Sequence, residues 1–470
     1  MKRIKYYLAA LLAGTLVLSS CSNSFFDINT SPNDPTDVVP ALVLPAALAG
    51  NAFVFGGYYL NLGGFWTQQY VQSPSASQWA TLESYNLTES DYDRQFSSMY
   101  AGCLLDYQYI RNKTAPTANW KYYAIATLMQ SYSFQTMADL YDKVPFTEAL
   151  QGIKFVQPHY EAGAVIYDSL FARIDDAITK DFTLSSCQSP DSSDLLFYGD
   201  MTKWTQFANT LKLKMYLRYS TIDTLPNGTD GNRHKAEILA LLAENNFLNA
   251  DVKFTAFKDG QSTSNPFYNT FEDRLSGNVA LNTTLATFLN NASDNRLKAM
   301  FNASAVGGLY SSVATGASPN IHGTTLSNYA TPKISSTTPV YFFTKEESLF
   351  LQAEAEYRYG SHATAQTLYT AGVNASLVAC GMASGSVTYP FNGIQSIMEQ
   401  KWVASTNKRS LEAFFDMNRT GYPNIMTQSV SSVLNPGERP LRLFFPQGEQ
   451  QTNANTPTRV PLTTKVWWGK

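Results

Sequence analysis

The residues of this chain that could carry acid–base chemistry are a glutamate cluster in one predicted helix and four scattered histidines. Hydrolysis of a glycoside needs two carboxylates that face each other across a cleft. Thr344 and Glu347 instead form a capping-box pattern at the start of the helix, and we expect the remaining glutamates on its solvated face. The pattern therefore argues against a hydrolase. The residues concerned are Glu346, Glu347, Glu354 and Glu356, with His159, His234, His322 and His362.

The sequence contains none of the motifs that mark common catalytic or cofactor sites. It lacks H-E-x-x-H and G-x-S-x-G, a phosphate-binding glycine loop and a dinucleotide fingerprint. It also lacks the C-x-x-C and mixed Cys/His spacings of zinc and redox sites. We therefore expect no catalytic residue, no metal and no cofactor.

Cys21 ends a short apolar segment near the N-terminus, and the residues after it turn polar at once. The apolar run follows a basic start and is too short to span a bilayer, which is typical of a secretory signal. The letters LSSC that end at Cys21 resemble a bacterial lipobox, in which the cysteine is acylated and becomes the new N-terminus. We expect this lipid to anchor the protein on a membrane. An ordinary signal peptide with an incidental cysteine is the alternative.

This interpretation divides the chain into three parts. Residues 1–20 are the predicted lipoprotein signal peptide, residues 21–37 are the lipidated cysteine and a polar tether, and residues 38–470 are a single folded domain. The apolar stretch at 38–60 is predicted to be a buried first helix, because prolines, an asparagine and a glycine pair interrupt it. A membrane span is the alternative for this stretch.

The composition argues against nucleic acid as a partner, since a net charge of −3 predicts no strongly basic surface. Charged residues make up 15% of the chain and aromatic residues 13%. A surface poor in charge and rich in rings suits uncharged ligands such as sugars, and equally an extensive protein interface. The scattered Cys103, Cys187 and Cys380 are expected to be buried free thiols, with a single disulfide as the alternative.

Helices are predicted to form the scaffold, because apolar residues recur at helical spacing. Asp200 is a predicted N-cap, and Gly372 is expected to let a neighbouring helix come close. Trp120, Trp204 and Trp402 are predicted to be buried on helix faces. The predicted helices near residues 344–359 and 361–381, with the short turn between them, resemble a tetratricopeptide unit. The predicted helices lie near residues 119–139, 164–182, 200–220, 344–359 and 361–381.

Two polar stretches, residues 63–88 and 262–271, carry aromatic side chains outside the predicted helix faces. Sugar recognition requires aromatic faces that stack on pyranose CH groups, with amide groups for the hydroxyls. Packing beneath the loops is the alternative for every one of these rings. The predicted ligand-binding residues are Trp66, Trp79, Tyr85, Phe267 and Tyr268, with Gln68, Gln69 and Asn265 as polar partners.

Six segments then occur in a recognisable order. They are FFDINTSPNDPT after Cys21, DLYDKVPFTEAL, KWTQFANTLKLKMYLR, ESLFLQAEAEYRYG, IMEQKWVASTNKRSLEAFFDMNRTGYPNI and GERPLRLFFPQGEQQTNAN. Together they resemble the SusD/RagB family of outer-membrane lipoproteins from Bacteroidota, in its SusD-like subgroup, over essentially the whole mature chain. Asp142 stands where the family often has glycine, and SNSFFD is less acidic than the usual surface-export signal.

The resemblance implies a mainly α-helical body of about four tetratricopeptide-like helix pairs with long loop excursions. It also implies a cell-surface, outer-membrane lipoprotein without catalytic activity. Such a protein binds a nutrient, usually a glycan, and delivers it to a SusC-like TonB-dependent transporter. A gating lid with little ligand affinity and a peptide-binding member are the alternatives. The family has no fixed ligand motif, so no binding residue is transferred from it.

Overall fold

The computed structural model describes residues 37–222 and 233–469. Within them, the chain from Pro40 onward forms one compact unit. The predicted signal peptide, Cys21 and all but the last residue of the predicted tether lie outside the described residues. Their assignment stays a prediction.

The first helical run packs into the core, as predicted for the apolar stretch at 38–60, although Leu42 and Phe53 are exposed. By length and hydropathy alone the run could span a membrane, yet half of its most apolar window is buried inside the protein. The amide of Asn51 is fully buried; it donates to Ser133 at 2.9 Å and accepts from Tyr107 at 2.6 Å. Such satisfied polar contacts belong to a core helix. The run comprises α1 (Pro40–Val54), a π-helical turn (Phe55–Tyr59) and α2 (Leu60–Trp66).

Further π-helical segments lie at Met99–Leu104 and Tyr268–Asp273, and the other described α-helices follow in chain order. They are α3 (Ala80–Glu83), α4 (Asp93–Ser98), α5 (Leu105–Thr114), α6 (Trp120–Tyr141), α7 (Gly163–Ile178), α8 (Met201–Tyr219), α9 (Lys235–Glu244), α10 (Thr283–Asn291), α11 (Arg296–Met300), α12 (Lys345–Tyr359), α13 (His362–Ala379), α14 (Ile394–Ser405), α15 (Ser410–Thr420) and α16 (Gln447–Thr452).

Short antiparallel strand pairs tie the loops to this helical body. In register, Tyr70 pairs with Leu281 in one strand pair, and Val144 pairs with Glu161 in another. Since the paired strands are far apart in sequence, each pair fixes one excursion of the chain. The strands are β1 (Tyr70–Gln72), β2 (Lys143–Pro145), β3 (Tyr160–Ala162), β4 (Val252–Phe254), β5 (Val279–Leu281), β6 (Phe301–Asn302), β7 (Thr331–Pro332) and β8 (Val340–Phe343); β4 pairs with β8 and β6 with β7.

Neighbouring helices pack as pairs, of which α5–α6, α7–α8, α12–α13 and α14–α15 form the scaffold. At the α12–α13 contact, a Cβ added to Gly372 would lie 2.7 Å from the ring of Phe350. The prediction that Gly372 allows close approach is therefore confirmed.

Local helix predictions agree with the structure where the signal lies within one helix. The Asp200 side chain accepts from the backbone N–H groups of Thr202 and Lys203 at 3.0 and 3.3 Å, so it caps α8 as predicted. Trp204 and Trp402 are buried as predicted. Trp120 is only partly buried, because it is the first residue of α6 and borders solvent.

A network of buried ion pairs joins α6, α8 and α15. Lys214 and Arg218 of α8 donate to the two carboxylate oxygens of Glu412 of α15, each at 2.9 Å. Arg218 also donates to Asp139 of α6 at 3.0 Å. All these side chains are almost completely buried, so each charge depends on its partners.

The chain returns to this network near its C-terminal end. Asp139 accepts from the indole N–H of Trp468 and from the hydroxyl of Tyr167, both at 2.6 Å. Trp468 is fully buried. The tail is therefore part of the core.

The prediction of a solvated glutamate face on α12 is wrong for Glu346 and Glu354. Both side chains are buried, because the ion pairs of α12 lie inside the protein. Glu346 accepts from Lys408 at 2.8 Å. Thr344 does accept from the Glu347 backbone N–H at 3.1 Å, but the Glu347 carboxylate pairs with Arg409 rather than completing the capping box. Glu346, Glu347 and Glu354 are thus held in buried ion pairs.

The three described cysteines are free thiols, as favoured from their spacing. Cys103 is fully buried, and burial raises the pKa of its thiol to about 12. Cys187 and Cys380 are partly buried.

Candidate functional site

An open groove of about 350 Å³ lies along one side of α10. Its opposite walls come from a loop around Ala314 and from a loop that contains Ile425 and Thr427. The groove presents hydroxyl groups, one side-chain amide and a few apolar surfaces. It is lined by Thr283, Thr284, Thr287, Phe288, Asn291, Ala314, Thr315, Ile425 and Thr427.

Asn282 positions two walls of this groove. Its side-chain oxygen accepts from the backbone N–H of Thr284 at 2.9 Å and so caps α10. Its amide nitrogen donates to the hydroxyl of Thr315 at 2.7 Å. Asn282 is fully buried directly after β5, so the start of α10 is held rigidly against the neighbouring loop.

Gln68 joins α10 to the third wall. Its side-chain oxygen accepts from the hydroxyl of Thr284 at 2.6 Å, and its amide nitrogen donates to the carbonyl of Thr427. Gln68 has a positive φ of 54° and is almost completely buried. Through these two bonds the side chain connects α10 to the loop that contains Thr427. Gln68 therefore positions groove residues from beneath.

Phe288 supplies the aromatic surface of the groove. Its ring lies parallel to that of Tyr389, with 6.0 Å between centroids, and meets Trp402 edge-on at 5.5 Å. It is partly exposed, as is Ile425. A ring held on two sides, with a free remaining surface, is suited to stack on CH groups of a ligand.

The groove lining lacks a carboxylate, a histidine or a cysteine among the residues the structure describes. General acid–base or nucleophilic chemistry needs such groups. Threonine hydroxyls, an asparagine amide and an aromatic face can instead bind an uncharged polar ligand. Across residues 37–222 and 233–469, no cluster of three or more His, Cys, Asp or Glu residues could hold a metal ion.

The four predicted aromatic residues Trp66, Trp79, Tyr85 and Phe267 are buried beneath the loops. The Trp66 indole donates to the Leu82 carbonyl at 3.2 Å, and the Trp79 ring packs on Phe271 at 4.9 Å. The structure thus favours the packing alternative for these rings. Ligand contact by them stays an untested prediction.

The other four predicted residues differ in their surroundings. Gln69 and Asn265 are buried, and their side chains bond to Trp402 and Thr338 carbonyls. Tyr268 is partly exposed. Gln68 alone among the eight bonds to groove-lining residues, although it does not line the groove itself.

Sequence reasoning missed the polar face of α10. Thr283, Thr287 and Asn291 recur at every fourth position and so share one face of the helix. That repeat was the available signal. The other two walls follow it far along the chain and have no sequence pattern that connects them with α10.

Residues 59–446 match the family model SusD-like, described as starch-binding and associating with the outer membrane. None of the curated proteins compared with the chain matches it. Among solved structures, a chitin-binding protein is 23% identical with a TM-score of 0.76, covering 92% of this chain and 100% of its own.

Two further solved structures are each 18% identical with a TM-score of 0.73. A SusD/RagB family protein from Bacteroides thetaiotaomicron covers 92% of this chain and 100% of its own. A chitin-binding SusD homolog from Flavobacterium johnsoniae covers 90% and 98%. At such identities the likeness shows the fold, and the predicted mainly α-helical, tetratricopeptide-like architecture is confirmed.

Proposed function

The chain belongs to the SusD-like family, and on that premise we propose that it is a non-catalytic outer-membrane protein that binds a glycan. The observation that carries the proposal is the groove beside α10. Its threonine hydroxyls and the Asn291 amide match sugar hydroxyls, and the Phe288 ring matches the apolar face of a pyranose.

The family description and two of the similar structures support a glycan as the ligand. The family is described as starch-binding, and the two structures are of chitin-binding proteins. Starch and chitin are both uncharged glucose-type polymers, and the groove lining is uncharged as well. We infer that a neutral glycan occupies the groove.

We further propose that the protein is lipid-anchored through Cys21 and displayed at the cell surface. In that position it would pass its glycan to a SusC-like TonB-dependent transporter. The polar segment that follows Cys21 supports this placement, because it provides a tether between lipid and folded body. The partner is tested by co-purification from outer membranes of the native host.

The binding experiment uses isothermal calorimetry with maltohexaose, chitohexaose and a short peptide pool, together with chromatography of the incubated sugars. We expect saturable binding of at least one glycan with no cleavage. The matched pair of variants is Asn291→Ala and Asn290→Ala, since both residues are exposed near the end of α10 but only Asn291 lines the groove.

Loss of one to two hydrogen bonds should weaken binding by Asn291→Ala about five- to tenfold, and Asn290→Ala should bind as the unaltered protein does. Equal effects of the two substitutions would place the ligand elsewhere. Binding of peptide only, or of nothing, would reject the glycan proposal and favour the peptide-binding or gating alternatives respectively.

A further inference from the structure

A second cavity, of about 520 Å³, lies between α5, α7 and the loop after β2. It shares no lining residue with the groove beside α10. Its charged lining residues are Arg111 of α5 and Arg173 of α7, and its other polar lining residues include Gln108, Asn112 and Gln151.

Arg111 is held in place by neutral partners. Its Nε donates to the hydroxyl of Thr127 at 3.0 Å, and its Nη1 donates to Gln130 at 2.6 Å. A third bond goes to Gln108 at 3.2 Å. These bonds fix the guanidinium without neutralising its charge, because amide and hydroxyl oxygens carry no net charge.

Arg173 is held by an aromatic ring. Its guanidinium carbon lies 4.2 Å from the centroid of the Phe146 ring. Within the described chain, its guanidinium makes neither an ion pair nor a hydrogen bond. Burial, together with the nearby Arg111, lowers the pKa of Arg173 to about 10, although the carboxylate of Glu161 acts in the opposite direction. The side chain is therefore preorganised and charged at neutral pH, and among the described residues no carboxylate forms a direct ion pair with it.

Two carboxylates beside this cavity are already hydrogen-bonded, one of them to the lining residue Thr147. Glu161 accepts from the backbone N–H and hydroxyl of Thr147 at 2.5 and 2.7 Å. Glu148 accepts from His159 at 2.8 Å. Neither carboxylate lines the cavity. Two guanidinium groups thus line one polar space, and both would attract an anion that enters it.

We infer that this cavity binds an oxyanion on an acidic sugar, either the carboxylate of a uronic acid or a sulfate ester. A guanidinium presents a planar fork that matches either oxyanion with two parallel hydrogen bonds. The surrounding side-chain amides can bond to the sugar hydroxyls. That the anion is carried by a sugar rests on the proposed function; the anion site itself rests on the two arginines.

The experiment measures binding of tetragalacturonate, a sulfated carrageenan tetrasaccharide, neutral β-1,4-galactotetraose and inorganic sulfate to the purified chain by calorimetry. We expect at least one acidic tetrasaccharide to bind more tightly than galactotetraose, and added NaCl to weaken that binding. The first two ligands separate carboxylate from sulfate. Binding of inorganic sulfate but of neither acidic sugar would overturn the assignment to a sugar.

Arg173→Gln should weaken binding of the acidic tetrasaccharide about tenfold or more, because a charge-assisted hydrogen-bond pair is lost. Arg173→Lys keeps the positive charge but not the planar guanidinium. Its affinity for the acidic tetrasaccharide should lie between those of the unaltered protein and of Arg173→Gln. Arg94→Gln alters an exposed arginine outside the cavity and should change nothing. Melting curves show that each variant is folded. An unchanged affinity in Arg173→Gln would overturn the inference.

The two binding proposals fail separately. If maltohexaose or chitohexaose binds through Asn291 and no acidic sugar binds, only this second site is refuted. If an acidic sugar binds through Arg173 and the neutral glycans do not bind, the groove proposal is refuted and the anion site stands. Weakening of acidic-sugar binding by Asn291→Ala alone would place that ligand in the groove and overturn the second site.

Discussion

The guanidinium of Arg419 donates two parallel hydrogen bonds to the carboxylate of Glu354, at 2.5 and 2.7 Å, and both side chains are fully buried. This pair connects α15 to α12. Arg358 also donates to Glu354 at 2.8 Å from the same helix. A buried ion pair of this kind is weak evidence for high stability, because moving both charges out of water is costly. Removing one partner is nevertheless destabilising, because it leaves the other charge inside the protein with fewer partners.

Glu354→Gln should therefore lower the free energy of unfolding by about 3–5 kcal/mol. The neutral amide keeps the size of the side chain but removes one of the two carboxylates that pair with the buried Arg419, leaving only Asp416 at 3.0 Å. Urea unfolding followed by far-UV circular dichroism measures the change. Asp176→Asn, which breaks the exposed pair with Lys180, is the control and should have little effect. Similar losses in both variants would contradict the argument.

Acid should destabilise the protein through the same network. Burial opposes ionisation of Glu354, but Arg419 and Arg358 outweigh it and lower its pKa from about 4.5 to about 2. Because the unfolded carboxylate binds a proton at higher pH, the stabilisation is present above about pH 4.5 and is lost as the pH falls toward 2. Urea midpoints at pH 6, 4 and 3 should decline in that order. The decline should be shallower in Glu354→Gln, and an identical slope would contradict this assignment.

Ionisation of Glu272 should make the protein less stable as the pH rises. Burial raises the pKa of its carboxyl to about 8, and one of its oxygens has no hydrogen-bond partner among the described residues. Its folded pKa exceeds the unfolded value near 4.5, so its contribution to stability is complete below pH 4.5 and is lost as the pH rises through 8.

Glu272→Gln should remove this loss and raise the free energy of unfolding at pH 8.5 by about 1 kcal/mol or more, with little difference at pH 4.5. Differential scanning calorimetry of both proteins at the two pH values measures it. Asp273→Asn, at the exposed neighbouring position, serves as the control. A gain of equal size at both pH values would show that ionisation of Glu272 is not the cause.

Gly372→Ala should destabilise the α12–α13 pair by about 1–3 kcal/mol, since the new methyl group would overlap the buried Phe350 ring. Gly102→Ala is the matched control, because a Cβ there meets no atom within 4 Å. That substitution should be neutral or slightly stabilising. Urea unfolding of the two variants decides the point, and comparable stabilities would mean that the helices separate without cost.

The scaffold could be predicted from sequence because its signals are local. The cap at Asp200 and the apolar face of α8 depend on residues a few positions apart. The burial of Glu354 could not be predicted in that way, since its partner Arg419 follows 65 residues later on another helix. From its spacing alone, an acidic side chain on a helix is predicted to face solvent, because its buried partner is not visible in the local sequence.

The candidate site is harder to predict from sequence than the scaffold, because its contacts also join residues far apart in the chain. The sequence predicts Gln68 as a polar ligand contact, yet its amide donates to the carbonyl of Thr427, which lies 359 residues away. Trp79 lies in a polar stretch that predicts a ligand-stacking ring, but it is buried and packs on Phe271. Neither contact follows from a pattern within one segment, because the loops that hold these residues are brought together only by the fold.

The docking of Trp468 on Asp139 has a consequence for biosynthesis, because these residues are 329 positions apart. During translation, Asp139 and Lys214 emerge from the ribosome long before Glu412 and Trp468 are synthesised. Until then the nascent α6 and α8 carry charges that cannot be buried at low cost. The charged centre of the protein can therefore close only late in translation, and the apolar faces around it need protection from aggregation during synthesis.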